Sequence, residues 1–126
     1  MLNLALIVGL WATSCIMTQN NTYSGWMIES FEISETGAYE EKREWFADPM
    51  CHQHYATERE SGTLKPGPRM EGRYVHGDTY ELDFETVMGT SLGVVRVEEK
   101  KLKFARGMRG STLRNRMVGL FDYVKK

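Results

Sequence analysis

Between Thr79 and Val87, apolar and acidic side chains alternate without a break. Tyr80, Leu82, Phe84 and Thr86 take one parity, and Glu81, Asp83 and Glu85 take the other. A two-residue period is the signature of a strand with one buried and one wetted face. A helix would mix both sets on every side. The segment therefore demands neighbouring strands and a shared core, and the rest of the chain supplies candidates. Gly25 to Ser34 reads as extended, marked by Trp26, Ile28 and Phe31 and ended by Ser34-Glu35-Thr36-Gly37. Ala38 to Ala47 puts Tyr39, Glu41, Arg43 and Trp45 on one face. Glu40 to Glu44 would also suit a short helix, but the flanking aromatics and Gly37 leave it too little length.

Further strands are expected at Gln53 to Ser61, Arg69 to Val75, Ser91 to Val97, Lys101 to Arg106 and Met117 to Val124. Turns are expected at Asp48-Pro49, Pro66-Gly67-Pro68, His76-Gly77-Asp78 and Glu98-Glu99-Lys100, with a Gly-rich loop over Gly107 to Arg116. Eight short strands joined by tight turns predict an all-β antiparallel meander. Closing it into a small barrel removes both exposed edges. Eight strands enclose space for side chains or one small ligand.

The N-terminus reads differently. Met1 to Ser14 carries no charged side chain, and its apolar run is shorter than the ~20 residues a membrane span needs. Residues 1–14 are therefore expected to be a signal peptide, residues 15–23 a polar tether, and residues 24–126 the folded domain. Ala12-Thr13-Ser14-Cys15 resembles the lipobox of bacterial lipoproteins, although Ala12 stands where leucine is usual and no basic residue follows Met1. That resemblance implies acylation of Cys15 and anchoring in a bacterial envelope. Each buried methylene of the lipid would add about 0.8 kcal/mol. Ile16 after the cysteine, by the same resemblance, favours the outer membrane facing the periplasm. Two other readings stay open: a secretory leader cleaved near Ser14, with Cys15 an ordinary thiol, and a buried N-terminal segment of a cytosolic domain.

Composition narrows function mainly by exclusion. With 41% hydrophobic and 26% charged residues the chain has enough apolar content for a core. A formal net charge of -1 gives no reason to expect a nucleic-acid partner. No acidic pair, nucleophile with base, or phosphate loop stands in a catalytic frame, so no enzyme activity and no cofactor are expected. Cys51, His52 and His54 could ligate a metal. On an extended chain, however, His52 and His54 share a face and Cys51 points away. The Gly107 to Thr112 loop, with Arg106, Arg109, Arg114 and Arg116, could hold an anion or lipid headgroup, and a solvated basic loop explains it as well.

An aromatic in the first strand, Phe46-x-Asp48-Pro49-x-Cys51 and Gly62-Thr63 resemble the domain of the adenomatosis-polyposis-coli-down-regulated Wnt inhibitor family and its bacterial relatives. Leu102-x-Phe104, Gly110-Ser111-Thr112, Arg116 and Phe121-x-Tyr123 are similar to the end of small bacterial lipocalin-like lipoproteins. The resemblance implies a lipocalin-like barrel, membrane-associated and able to hold lipid. In the animal family the aspartate-proline cysteine is paired. Here Cys51 is expected to lack a partner if Cys15 is acylated. The cavity candidates are Trp26, Trp45, Tyr80, Leu82, Phe84, Phe104 and Phe121, with Met27, Met88 and Met117 also expected inside. The expected function is a lipid-anchored envelope protein whose barrel binds a small apolar or amphiphilic ligand. The alternatives are the same barrel with a filled core, acting as an interaction module, and a metal-handling protein.

Overall fold

The computed structural model describes every residue except Tyr74, Asn115, Arg116, Met117 and Leu120. Among the described residues nine strands follow one another: β1 (Gly9–Ala12), β2 (Ile16–Gln19), β3 (Ser24–Ile33), β4 (Ala38–Phe46), β5 (His54–Arg69), β6 (Asp78–Thr86), β7 (Gly89–Glu98), β8 (Lys101–Arg106) and β9 (Tyr123–Lys125). A single 3-10 turn at Leu4–Leu6 precedes them. All pairings are antiparallel, in the order β1-β9-β8-β7-β6-β5-β4-β3, and β1 also pairs with β3. That last pairing closes an eight-strand barrel. β2 continues along β3 beyond the end of β1.

Alternation does what the sequence demands of it. Leu82 and Phe84 face inward, opposite Gly93 and Ser91 of β7. Tyr39, Glu41, Arg43 and Trp45 share the inner face of β4, as their parity requires. The core joins Leu2, Ile7, Trp11, Phe31, Ile33, Tyr39, Leu64, Leu82, Phe84, Val95, Leu102, Phe104 and Tyr123. Phe31 sits at its centre, with ring centroids 4.9 Å from Phe104 and 5.5 Å from Tyr123. Gly93 makes room for this packing. A Cβ there would lie 2.9 Å from the Phe84 ring and 2.7 Å from the Ala105 carbonyl oxygen.

Three expectations are corrected. The expected turn at Pro66-Gly67-Pro68 is part of β5, which runs unbroken for 16 residues. The prolines shift register between Pro66 and Arg69 rather than ending the strand, as proline does at a bulge. The Gly67 carbonyl there accepts the Leu2 N–H at 2.8 Å. Of the strand expected over Met117 to Val124, the described residues form only Tyr123–Lys125; Met117 and Leu120 lie outside the described residues. The expected extended segment Arg69 to Val75 is mostly the β5–β6 connection, with Tyr74 outside the described residues.

The first fourteen residues are built into the barrel. Leu2, Ile7, Trp11, Ala12 and Thr13 are buried, and Trp11 Nε1 donates to the Ile7 carbonyl at 2.9 Å. β1 lies between β3 and β9 and is the strand that closes the ring. The apolar run thus packs as core in this fold. It caps the end of the barrel that holds the β3–β4, β5–β6 and β7–β8 connections. Cys51, expected to be partnerless, is bonded to Cys15. The bond fastens the β1–β2 link to the β4–β5 loop across 36 residues of sequence.

Candidate functional site: a charged barrel mouth

The two ends of the lumen differ in chemistry. The end capped by Leu2 and Ile7 is apolar. At the other end, the inward positions of four strands carry charge. Glu29 of β3 shares parity with Met27 and Phe31. Glu41 and Arg43 share parity with Tyr39 and Trp45. Across the β4–β5 ladder, Glu41 faces Glu60 and Arg43 faces Glu58. Arg106 ends the inward row Leu102, Phe104 on β8. Backbone parity places these groups inside whatever their polarity, so they must satisfy one another.

They do so as one network. Arg106 Nη2 donates to Glu41 Oε1 at 2.6 Å, and its Nη1 donates to Glu60 Oε2 at 2.7 Å. Arg43 Nη1 donates to Glu41 Oε2 at 2.7 Å and lies 3.7 Å from Glu29 Oε2. Arg109, just beyond β8, donates to Glu60 Oε1 at 2.7 Å. Glu58 accepts from Trp45 Nε1 and Asn20 Nδ2, both at 2.9 Å. The Tyr39 hydroxyl donates to Glu60, and the Tyr123 hydroxyl donates to Glu29. The Arg106 guanidinium also stands 5.0 Å over the Phe84 ring, a cation–π contact that joins the charged layer to the aromatic core.

Burial sets the titration of this network. Glu41 is 2% exposed. Burial, then a hydrogen bond and charge repulsion from Glu29, push its carboxyl up to about 7, against the pull of Arg106 and Arg43. Tyr39 is pushed up to about 12, mainly by burial and then by the Glu60 charge. Tyr123 is raised by burial and by Glu29. Burial acts upward on Glu58 as well, but the hydrogen bonds from Trp45 and Asn20 and the Arg43 charge outweigh it and hold the carboxyl low. Burial acts downward on Arg106, and the charges of Glu41 and Glu60 outweigh it, so the guanidinium stays ionised.

Among these side chains lies a pocket of about 160 Å³. Its walls are Glu29, Glu41, Arg43 and Arg106. Phe31, Phe84, Phe104 and Tyr123 form the aromatic side, with Ala105 completing it. The apolar half of the lumen is occupied by the aromatic core, and the pocket is smaller than the ~300 Å³ usual for a ligand the size of a fatty chain. A larger depression of about 430 Å³ lies on the outer wall, beside Leu10, Glu32, Glu40 and Ser61. It is not part of the lumen.

Of the cavity candidates, Phe84 and Phe104 line the pocket, and Leu82 packs beneath them in the core. Tyr80 is half-buried against the same core. Trp45 is buried at the charged end but turns its ring to Tyr23, with centroids 5.8 Å apart, and does not line the pocket. Trp26 has the opposite parity to Met27 and is half-buried outside the lumen. Phe121 is 38% exposed. Met88, expected inside, is exposed at the β6–β7 turn.

The other candidate chemistries are redistributed. The sulfurs of Cys51 and Cys15 are bonded to each other, so the metal reading loses its thiolate, and Cys15 carries no acyl group in this form. A sulfur cannot hold a disulfide and a thioether at once. His54 Nε2 is 2.7 Å from Thr57 Oγ1. The Asp48 carboxylate accepts the backbone N–H groups of Gln53 and His52 at 2.7 and 2.9 Å, which lowers its pKa and shapes the loop bearing Cys51.

The arginines expected in a solvated basic loop are spoken for. Besides Arg106 and Arg109, Arg114 pairs with Glu81 at 2.7 Å and Asp83 at 2.6 Å. It covers the acidic face of β6 that was expected to be solvated. Arg116 lies outside the described residues. The charged mouth itself was missed because buried ion networks carry no sequence motif. Its one legible sign was Glu41 and Arg43 sharing a face with Tyr39 and Trp45. Comparison with protein-family models, with curated proteins and with solved structures finds no match to this chain.

Proposed function

We propose that this protein is a barrel-shaped binding module of an oxidising, extracytoplasmic compartment such as a bacterial envelope, and that it takes a small amphiphilic molecule at its charged mouth. The observation that carries this reading is the pocket in which Glu29, Glu41, Arg43 and Arg106 meet Phe31, Phe104 and Tyr123. An aromatic side and a polar wall in one concave site suit a ligand with both characters. The Cys15–Cys51 disulfide supports the compartment, since such bonds persist where thiols are not kept reduced. It also agrees with the family resemblance, which implies a paired cysteine at this position. Membrane attachment through Cys15 is an alternative use of the same sulfur and belongs to a form of the chain without this bond.

The filled apolar half of the lumen favours a second reading, a solid-core interaction module. Titration of the isotope-labelled protein with small aromatic amphiphiles, followed by NMR, separates the two. Binding at the mouth shifts the ring signals of Phe31, Phe84, Phe104 and Tyr123 in a saturable way. A folded protein showing no saturable shift with any such compound leaves the solid-core module.

A further inference from the structure

Taking as its basis the reading that the mouth holds a small amphiphile, we propose that the polar group it selects is a cation: a protonated amine seated between Glu29 and Glu41, with its apolar part against Phe104 and Tyr123.

The first argument is charge balance. Four carboxylates, from Glu29, Glu41, Glu58 and Glu60, share the mouth with three guanidinium groups among the described residues, from Arg43, Arg106 and Arg109. Three of the four carboxylates are well provided for. Glu60 receives Arg106, Arg109 and Tyr39. Glu58 receives Trp45, Asn20 and Arg43. Glu41 holds Arg106 and Arg43 at 2.6 and 2.7 Å. Glu29 is the exception. One oxygen accepts the Tyr123 hydroxyl, and the other stands 3.7 Å from Arg43, beyond hydrogen-bond length. The carboxylate least matched by a cation is thus Glu29, which lines the pocket beside Glu41.

The second argument is what each kind of ligand would have to displace. Every arginine at the mouth already contacts a carboxylate within 2.7 Å. An anionic ligand would compete with those carboxylates for the same guanidinium charge and add repulsion to the buried pairs, which is costly. A cation breaks none of them. It adds the counter-charge that Glu29 lacks, and by favouring the ionised form of the raised Glu41 carboxyl it releases protons as it binds. The groups facing Glu41 are Glu29 from β3, Arg43 beside it on β4, Glu60 from β5, Arg106 from β8 and Tyr123 from β9. Only Glu29 among them repels a carboxylate while lining the same pocket. The aromatic side adds to the preference, because ring faces attract cations and repel anions. The size of the space limits the ligand to a small one: 160 Å³ is the liquid volume of about five waters.

The test uses three compounds of nearly equal shape: phenethylamine, 2-phenylethanol and phenylacetate. Each is titrated into the intact, disulfide-bonded protein at pH 7.5, read by calorimetry and by NMR. The expected result is that the amine binds at least tenfold more tightly than the alcohol, that phenylacetate binds weakest, and that the amine alone releases a proton to buffer. In Glu29→Gln the amine falls to the level of the alcohol. Equal binding of amine and alcohol, or tighter binding of phenylacetate, overturns the cation assignment and leaves the amphiphile reading intact. Binding of none of the three overturns both. The comparison in the unaltered protein needs no variant, so it decides the matter even if Glu29→Gln fails to fold.

Discussion

Arg106 Nη2 lies 2.6 Å from Glu41 Oε1, two side chains separated by 65 residues of chain and joined inside the barrel wall. The pair ties β8 to β4 across the lumen, where no backbone ladder connects them. Arg106→Ala is therefore expected to cost about 3–5 kcal/mol, because it leaves Glu41 and Glu60 buried without their cation. Adding Glu41→Gln should recover part of that loss. Urea unfolding of the wild type, both single variants and the double variant measures the coupling, and strictly additive losses would refute it.

The raised carboxyl of Glu41 makes stability fall as pH rises. Burial raises its pKa in the folded state to about 7, from the ordinary 4.5. The stability it contributes is fully present below the unfolded pKa and is lost as pH passes through about 7. The loss amounts to roughly 3 kcal/mol, at 1.36 kcal/mol per pH unit of difference. Unfolding midpoints recorded between pH 5 and pH 8 should decline in the wild type and stay level in Glu41→Gln. Parallel profiles for the two proteins would remove Glu41 as the cause.

The disulfide should be present and should matter. The chain-entropy relation for a loop closed across 36 residues gives about 3–4 kcal/mol. Reduction, or Cys51→Ala, is expected to lower the denaturation midpoint accordingly, with the oxidised protein showing no free thiol under denaturing conditions. An intact mass carrying acyl chains on Cys15 would show the sulfur in its other use.

The first fourteen residues are expected to be indispensable to this fold. A chain starting at Cys15 loses β1 and the buried Leu2, Ile7, Trp11 and Ala12. Circular dichroism and NMR dispersion should report an unfolded or molten chain. Trp11→Ala, a gentler change, should cost about 3–5 kcal/mol. A well-dispersed spectrum from the truncated protein would mean that the barrel closes without β1.

Alternation in Thr79 to Val87 and at Tyr39 to Trp45 was enough to read the architecture, because parity is a local property and sets which face is buried. Residues 1–14 were harder. An apolar run of that length suits a leader core, and in this fold it also fills the place between β3 and β9. Pro66 and Pro68 read as a turn because their effect depends on whether a neighbouring strand can absorb a register shift, as β6 does. Phe84 and Phe104 were legible as part of the site. Glu29, Glu58 and Glu60 were not, because a buried carboxylate is recognised by its partners, and those partners come from strands far apart in sequence. Trp26 was misplaced for a simpler reason: aromatic character was weighed above the parity of its neighbour Met27.

The position of β1 also sets a schedule for biosynthesis. It is translated before the other strands, yet it needs Trp11 against Lys125 and Ala12 against Val124 to complete the ring. A nascent chain can assemble β3 to β8 hairpin by hairpin as it emerges. Its first strand meanwhile waits with one edge open until the ribosome has delivered residues 123–125. Closure is thus a late, long-range event of the kind that slows β-rich folding. During that wait Trp11 and Ile7 are available to chaperones, export factors or other chains.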